Sequence, residues 1–187
     1  MGLQLADILS RNWLVLLVRG LLAIIFGFLA LLLTKNRISV LITPFAAYAF
    51  VDGVLALGIA LGEPAGRGSL WLLLLWGCSG VGAGILTYFV QPPRSRLEFM
   101  CYIAIWAVTT GVFEVLIAVR LHRKLGAEWL LILAGLMSVV FGASIVALSK
   151  AHGAFVLSRL IAAYAFAFGV LIGIIGLRAR TAPLPSA

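Results

Sequence analysis

Long apolar runs alternate along the chain with short polar segments that contain glycine, proline or charged residues. Each run has about 20 or more residues, enough at about 1.5 Å per residue for a helix to cross a hydrocarbon core about 30 Å thick. The polar segments have the turn chemistry expected at a water interface, and they are too short to hold a soluble domain. The pattern predicts six transmembrane helices, at residues 12–33, 38–61, 70–90, 97–121, 129–148 and 155–177.

The composition narrows the class further. Of the 187 residues, 64% are hydrophobic and 11% are charged, whereas soluble domains are about 45–50% apolar and about 25% charged. Such a chain has too few polar side chains to cover a soluble globule, and it is too apolar to be disordered. Two cysteines exclude a disulfide-rich secreted scaffold. The chain is therefore predicted to be an all-α polytopic membrane protein.

The formal charge of +8 comes from basic residues that flank the apolar runs singly or in small groups. This is the arrangement of membrane flanks, and it lacks the continuous basic face that phosphate binding requires. We therefore expect the lipid bilayer, and no nucleic acid, as a partner. Six crossings place both termini on one side, whose flanks hold seven basic residues against six on the other. The positive-inside rule thus favours cytoplasmic termini.

Equivalent residues recur along the chain at a spacing of 58. Each repeat contains two predicted helices, so the sequence predicts three tandem two-helix hairpins, at residues 12–61, 70–121 and 128–177. They form a single membrane domain, 1–187, that ends in a short polar tail, 178–187. The sets that show the spacing are Trp13, Trp71 and Trp129; Tyr48, Trp106 and Tyr164; Ala46, Ala104 and Ala162; Ala49, Ala107 and Ala165; and Gly53, Gly111 and Gly169.

Small residues recur on one face of each predicted helix. They follow an Ala-x2-Ala-x3-Gly pattern in the even helices and a Gly-x6-Gly pattern in the odd ones. Small side chains let helix backbones approach closely within a membrane. We expect each hairpin to pack tightly internally and against its neighbours, and the same faces could join copies of the chain into a homo-oligomer. The predicted packing residues are Gly20, Gly27, Ala49, Gly53, Gly77, Gly84, Ala107, Gly111, Gly135, Gly142, Ala165 and Gly169.

Three ionisable residues lie well inside the predicted spans: Arg19, Asp52 and Glu114. Counting from the side of the termini, they lie roughly 10, 13 and 10 Å deep. Arg19 and Asp52 can pair within the first hairpin, and Glu114 either joins Arg19 or stands nearly alone. Thr110 and Phe168 occupy the positions equivalent to Asp52, so no three-fold polar pathway is expected.

Charged side chains within a bilayer cost at least about 2.5–3.5 kcal/mol each, so they are functional candidates by default. One interpretation is a proton-accessible site that contains the two carboxylates. The other is structural: Arg19 extends toward the interface and pairs with Asp52 to fix the register of the hairpin. The sequence leaves both interpretations open.

Motifs for catalysis or cofactor binding are not found. No His, Cys, Asp and Glu residues have metal-ligand spacing, and no phosphate-binding glycine loop is present. A Gly-x-Ser-Gly segment at residues 77–80 matches rhomboid intramembrane proteases, but their mechanism needs a histidine base within another membrane helix. Both histidines of this chain, His122 and His152, fall in predicted loops. We expect no catalytic residues, no cofactor and no metal, hence a protein that is not an enzyme.

Several segments together carry a family resemblance. They are residues 12–20 with Phe26 and Gly27, residues 48–53, residues 106–111 with Glu114, and residues 128–135 with Phe141 and Gly142. From about residue 11 to about residue 180, the chain resembles the bacterial HdeD family of acid-resistance membrane proteins. Most of these motifs concern helix packing, so they indicate family and fold more than activity.

The resemblance implies a multi-pass protein of the bacterial inner membrane that contributes to acid or envelope stress resistance and has no catalytic activity. A different hypothesis is a small proton-linked transporter or channel that uses Asp52 and Glu114. The two differ in whether these carboxylates line a hydrated path or are sealed by Arg19. A scaffold that assembles through its small-residue faces is compatible with the first. The sequence does not indicate which small molecule, if any, is the substrate.

Overall fold

The computed structural model describes residues 10–33, 38–62, 70–90, 92–121, 128–149 and 151–181. Within these ranges the regular secondary structure is helical, and six helices are long and apolar enough to cross a membrane. The predicted all-α architecture with six spans is therefore confirmed. The helices are α1 (Trp13–Leu33), α2 (Ile42–Gly62), α3 (Leu70–Ile85), α4 (Arg96–Leu121), α5 (Glu128–Ser149) and α6 (Ala154–Thr181).

Local sequence explains several of the helix ends. A 3-10 turn, Ile38–Leu41, leads into α2, and Pro44 is tolerated in its first turn, where a backbone N–H would have no partner within the helix. At the start of α4, the Ser95 hydroxyl accepts a hydrogen bond from the Glu98 N–H (3.1 Å). The Glu98 carboxylate in turn accepts one from the Arg94 N–H (2.8 Å). Two N–H groups at this helix end are thereby satisfied.

Two helix ends differ from simple apolar runs. α3 continues into a wider π-type turn, Leu86–Val90. α6 extends to Thr181 and so includes the first residues of the predicted polar tail. Arg178 and Arg180 lie in its last turn, where the partial negative charge of the helix C-terminus favours cations. The predicted connections at 34–37, 63–68 and 122–126, and tail residues 182–187, lie outside the described residues.

Close backbone packing is concentrated in three helix pairs: α2 with α3, α4 with α5, and α1 with α6. Each pair joins the second helix of one predicted hairpin to the first helix of the next, and the α1–α6 pair closes the series into a ring. The two helices of each hairpin make much looser contact. The expectation of tight packing inside each hairpin is thus wrong, whereas the expected tight packing between neighbouring hairpins is found.

Glycines form the three close interfaces. A methyl group added at Gly111 would lie 2.5 Å from the Gly135 carbonyl oxygen, and one at Gly20 would lie 2.6 Å from the Gly169 carbonyl oxygen. These distances leave no room for a side chain, so each interface, here called a glycine seam, depends on backbone-to-backbone contact. The equivalent contacts are Gly20–Gly169, Gly77–Gly53 and Gly135–Gly111, followed along each seam by Gly27–Ala162, Gly84–Ala46 and Gly142–Ala104.

Aromatic rings lie between the two helices of the first hairpin and of the third. In the first hairpin, the Phe26 ring stacks on Tyr48 with centroids 5.4 Å apart. In the third, Phe141 stacks on Tyr164 at 4.0 Å. Trp106 of the second hairpin occupies the position equivalent to these tyrosines, and its ring packs against Phe45 and Tyr48 of the first hairpin. Rings of this size hold the helices of a hairpin apart, which explains why the closest approach occurs at the seams.

The outward surface of the bundle is apolar along every helix, as lipid contact requires. Exposed large side chains include Leu32, Leu61, Ile105 and Val140, each more than 60% exposed. A tryptophan occurs near the start of each odd helix, and Trp71 and Trp129 are exposed. Tryptophans are enriched where a membrane meets water. The six helices are thus arranged as a membrane-embedded bundle in contact with the bilayer.

A buried charge cluster at the centre of the bundle

The three ionisable residues predicted inside the spans meet in one place. Arg19 on α1 approaches Asp52 on α2, with 2.6 Å between Nε and Oδ1. The same guanidinium contacts Glu114 on α4, with 2.8 Å between Nη2 and Oε1. We call these residues the charge cluster; they are 4%, 2% and 0% exposed. Arg19 therefore pairs with both acids inside the bundle and does not extend to the interface.

Two aromatic side chains enclose the Arg19 guanidinium. Its Cζ atom lies 4.0 Å from the centre of the Trp76 ring and 5.1 Å from that of Phe168. The faces of these rings attract a cation when water is excluded. Trp76 also donates a hydrogen bond from Nε1 to the second oxygen of Asp52, at 3.3 Å. The aromatic rings thus stabilise the cation and orient its partner.

Sequence reasoning missed Trp76, although the repeat contains a signal for it. Trp76 immediately precedes Gly77, just as Arg19 precedes Gly20 in the first repeat. Because Gly20 and Gly77 are equivalent glycines of the seams, the preceding residues point into equivalent positions near the bundle axis. Phe168 is likewise the repeat equivalent of Asp52. The cluster is therefore assembled from equivalent positions that carry different residues in different repeats.

A hydroxyl pair completes the polar contacts near Glu114. Ser138 on α5 lies near the Glu114 carboxyl group, and its Oγ donates a hydrogen bond to the Ala134 carbonyl at 2.9 Å. The Tyr164 hydroxyl on α6 lies 2.8 Å from the same Oγ. With Trp76 on α3, every helix of the bundle supplies a side chain to the cluster or its immediate surroundings.

The polar atoms of the cluster are incompletely paired. Among the described residues, Arg19 Nη1 and Glu114 Oε2 are buried without a hydrogen-bond partner. The short contact between Arg19 Nε and Asp52 Oδ1 is an ion pair whose angle departs from an aligned hydrogen bond, since neither atom has a hydrogen-bond partner. One guanidinium also faces two carboxyl groups. With both acids ionised, the cluster would carry a net charge of −1.

Three cavities lined by described residues lie beside the cluster. A small cavity of about 20 Å³ on the bundle axis is lined by aromatic and apolar residues that include Tyr48, Trp106 and Tyr164. Two larger grooves, of about 410 and 260 Å³, lie between α2 and α3 and between α3 and α4. None of these three linings includes a residue of the charge cluster. In this conformation Arg19 and its surroundings seal the carboxylates.

The predicted packing residues are all buried in the bundle, and the glycines among them form the seams. The small-residue faces are buried in the seams within one chain. A second copy of the chain would therefore have to bind at the lipid-facing surface. Among the described residues, no three or more His, Cys, Asp or Glu side chains are grouped so that they could hold a metal ion. The centre of the bundle can hold charged groups, and its ion pairs connect α1 to α2 and to α4.

Comparison with known protein families identifies the family of this chain. A family model described as a short repeat of unknown function (DUF308) matches residues 18–89 and 88–147. The chain belongs to this family. It is a family of membrane proteins that includes HdeD-like proteins. The first match contains Arg19 and Asp52, and the second contains Glu114. Searches of curated proteins and of solved structures give no match.

Proposed function

We propose that the chain is a non-enzymatic protein of the HdeD type that contributes to acid or envelope stress resistance in a bacterial inner membrane. The observation that carries this proposal is the sealed charge cluster, in which Arg19 pairs with both Asp52 and Glu114. The membership of the DUF308 family, which includes HdeD-like proteins, is consistent with it.

Burial of the cluster argues for a role in holding the bundle together. Asp52 and Glu114 are 2% and 0% exposed, so in this conformation neither carboxylate is available to a substrate or to bulk water. Arg19 connects α1 to α2 and to α4, which belong to three different seams. Ion pairs that connect three helices at the centre of the bundle suit a protein whose helices must stay packed together when the outside becomes acidic.

The proposed location follows from the flanking charges. The side on which α1 begins and α6 ends is the one whose flanks hold seven of the basic residues against six on the other, so we propose that both termini face the cytoplasm. On this side the Arg180 guanidinium lies 4.9 Å from the centre of the Trp13 ring, and Arg120 lies 4.9 Å from that of Trp71. Such pairs suit an interface with anionic lipid.

A proton-linked transporter or channel is the second candidate. It is favoured by the excess of acid over base in the cluster, because a group that gains and loses a proton inside the membrane is what such a protein needs. This function requires a second conformation in which water reaches Glu114 or Asp52. The two candidates therefore predict different proton fluxes.

The first experiment combines survival with flux. Cells that express the wild-type chain and cells with an empty vector are exposed to acid, and the purified protein is tested for proton flux in liposomes after an external acid jump. We expect improved survival together with a flux no faster than that of empty liposomes. The flux comparison includes the Asp52→Asn/Glu114→Gln double variant and, as a matched control, Glu98→Gln at the outer end of α4.

Each result separates the candidates. Flux that is present in the wild type and in Glu98→Gln but lost in the double variant would support the transporter in place of the closed bundle. Unchanged survival of cells that contain correctly inserted protein would contradict the stress-resistance proposal.

A further inference from the structure

The charges at the centre of the bundle do not balance. Arg19 supplies one positive charge, and Asp52 and Glu114 would supply two negative charges if both were ionised. All three side chains are at least 95% buried within the helices. An uncompensated charge in such a place is costly, because neither water nor a second cation stabilises it. The cluster needs one further positive charge to be neutral.

The groups that face Glu114 offer no second cation. Arg19 approaches from α1, and Asp52 and Tyr48 lie on α2; Ser138 faces it from α5, and Tyr164 lies behind Ser138 on α6. From α3, Trp76 donates its N–H to Asp52. The other basic residues within the described ranges, such as Arg96 and Arg120, lie toward the ends of the helices. Among the described residues no side chain supplies the missing positive charge, so a bound ligand is its source.

A proton fits the site better than a metal ion. Hard cations take six or more oxygen ligands or retain water, whereas the described residues contain no group of three or more metal-ligating side chains. The nearby cavity on the axis, about 20 Å³ in volume, is lined by aromatic and apolar side chains. A proton needs one free oxygen and a neighbouring acceptor.

The two acids differ in their fitness to carry this proton. Both oxygens of Asp52 face positive or donor groups: Oδ1 lies 2.6 Å from Arg19 Nε, and Oδ2 accepts the Trp76 N–H. These contacts favour an ionised carboxylate. Glu114 uses only Oε1 toward Arg19, and its Oε2 is buried without a hydrogen-bond partner. Oε2 is the free oxygen of the cluster.

Ser138 supplies the matching acceptor. A hydroxyl has one proton to donate, and Ser138 donates its proton to the Ala134 carbonyl at 2.9 Å. The Tyr164 hydroxyl lies 2.8 Å from the same oxygen, and in this arrangement it is the donor of that pair, which can run in either direction. When Ser138 gives its proton to the Ala134 carbonyl, it presents only acceptor lone pairs to Glu114. An ionised Glu114 would face it with a second acceptor, whereas a protonated Glu114 would face it with a donor.

We infer that Glu114 is a proton-binding site, in which Oε2 carries one proton while Asp52 remains the ionised partner of Arg19. The proton is taken from water and is returned to it, so no other reactant is needed. The site goes beyond the proposed role in stress resistance, because it concerns what the cluster binds and does not depend on cell survival or on proton flux.

Infrared spectroscopy of the full chain in lipid vesicles tests this site at neutral pH. A protonated carboxyl group gives a carbonyl stretching band that an ionised one lacks. We expect one such band in the wild type, shifted when the glutamates are labelled with ¹³C and unshifted when the aspartates are. The labels act on unmodified protein, so the result does not depend on whether a variant folds.

Variants then test the charge count. Glu114→Gln removes the band. Asp52→Asn removes it as well, although Glu114 is untouched, because Arg19 and Glu114 then balance each other. Ser138→Ala shifts the band without abolishing it, and Glu98→Gln on the same helix leaves it unchanged. No protonated carboxyl in the wild type, a band that follows the aspartate label, or a band that persists in Asp52→Asn would each overturn the inference.

Discussion

At the scale of single residues, the chain concentrates its intramembrane charge on one arginine and two acids. A buried ion pair adds little net stability compared with well-packed apolar residues, but removal of one partner leaves an uncompensated buried charge. Removal of Arg19 is expected to have the largest such effect, since it pairs with Asp52 and Glu114 at the same time. Without Arg19, the Trp76 and Phe168 rings would also lose the cation that lies over them.

Arg19→Met is therefore expected to destabilise the bundle by about 3–5 kcal/mol. The measurement is the free energy of unfolding from a detergent titration followed by circular dichroism. The triple variant Arg19→Met/Asp52→Leu/Glu114→Met should recover most of this loss, because no charge is then left unpaired. If Arg19→Met alone were as stable as the wild type, the charge cluster would not hold the bundle together.

At the scale of helices, the repeat of small residues describes contact between hairpins. α2 illustrates this with two glycines in different surroundings. A methyl group at Gly53 would lie 2.6 Å from the Gly77 carbonyl oxygen and 2.8 Å from the carbonyl carbon of Gly80. Gly58 lies on the exposed side of the same helix, and a methyl group there would meet no atom within 4 Å. The seam position of α2 thus has no room for a side chain larger than that of glycine, whereas the exposed position does.

Gly53→Ala is expected to separate α2 from α3 and to cost about 1–3 kcal/mol, the usual penalty of overpacking. Gly58→Ala is the matched control in the same helix, and it should be neutral or stabilising by up to about 1 kcal/mol, because alanine favours a helix over glycine. The same detergent titration measures both variants. Equal effects of the two substitutions would contradict the seam.

At the scale of the whole molecule, the pairing of α1 with α6 closes the ring of hairpins. The Gly20–Gly169 contact brings together residues from the first and last helices. Closure leaves all three seams satisfied, and it places the charge cluster where residues of the first and second hairpins converge with Phe168 of the third. A chain that lacked the last hairpin would leave two helices of the seams without partners.

Ring closure can be tested with a cysteine pair. A side chain at position 176 would place its Cβ 3.2 Å from that of Leu16, close to the spacing in disulfides, about 3.5–4.5 Å. In a background with Cys78→Ser and Cys101→Ser, Leu16→Cys/Gly176→Cys should form a bond within one chain upon oxidation. Cleavage at a protease site introduced at residues 122–127 would then leave the two fragments linked on a non-reducing gel.

The control for this pair is Leu16→Cys with Gly58→Cys, since position 58 faces away from the bundle. Fragments that separate in the Leu16→Cys/Gly176→Cys variant, or that link only between different chains, would contradict closure by α1 and α6.

Much of the architecture could be predicted from the sequence, and particular residues show why the rest could not. The glycine and alanine positions were identifiable because a repeat exposes a shared packing requirement without any knowledge of the partner. Their partners were not identifiable: Gly53 was expected to act inside its hairpin as well, yet it contacts Gly77 of the next one. The spacing of residues shows which face of a helix carries small side chains, but it does not show which other helix packs against that face.

The sequence by itself determined the six spans, the all-helical class, the repeat, and the three charges at similar depth, because each depends on local composition and on distance along one helix. Only the tertiary structure decided the pairing of the helices, the closure of the ring, and the meeting of Glu114 with Arg19. Glu114 and Arg19 are 95 positions apart in the chain. Their contact exists because glycine seams bring backbones together while aromatic rings such as Phe26 and Tyr48 hold the hairpin helices apart.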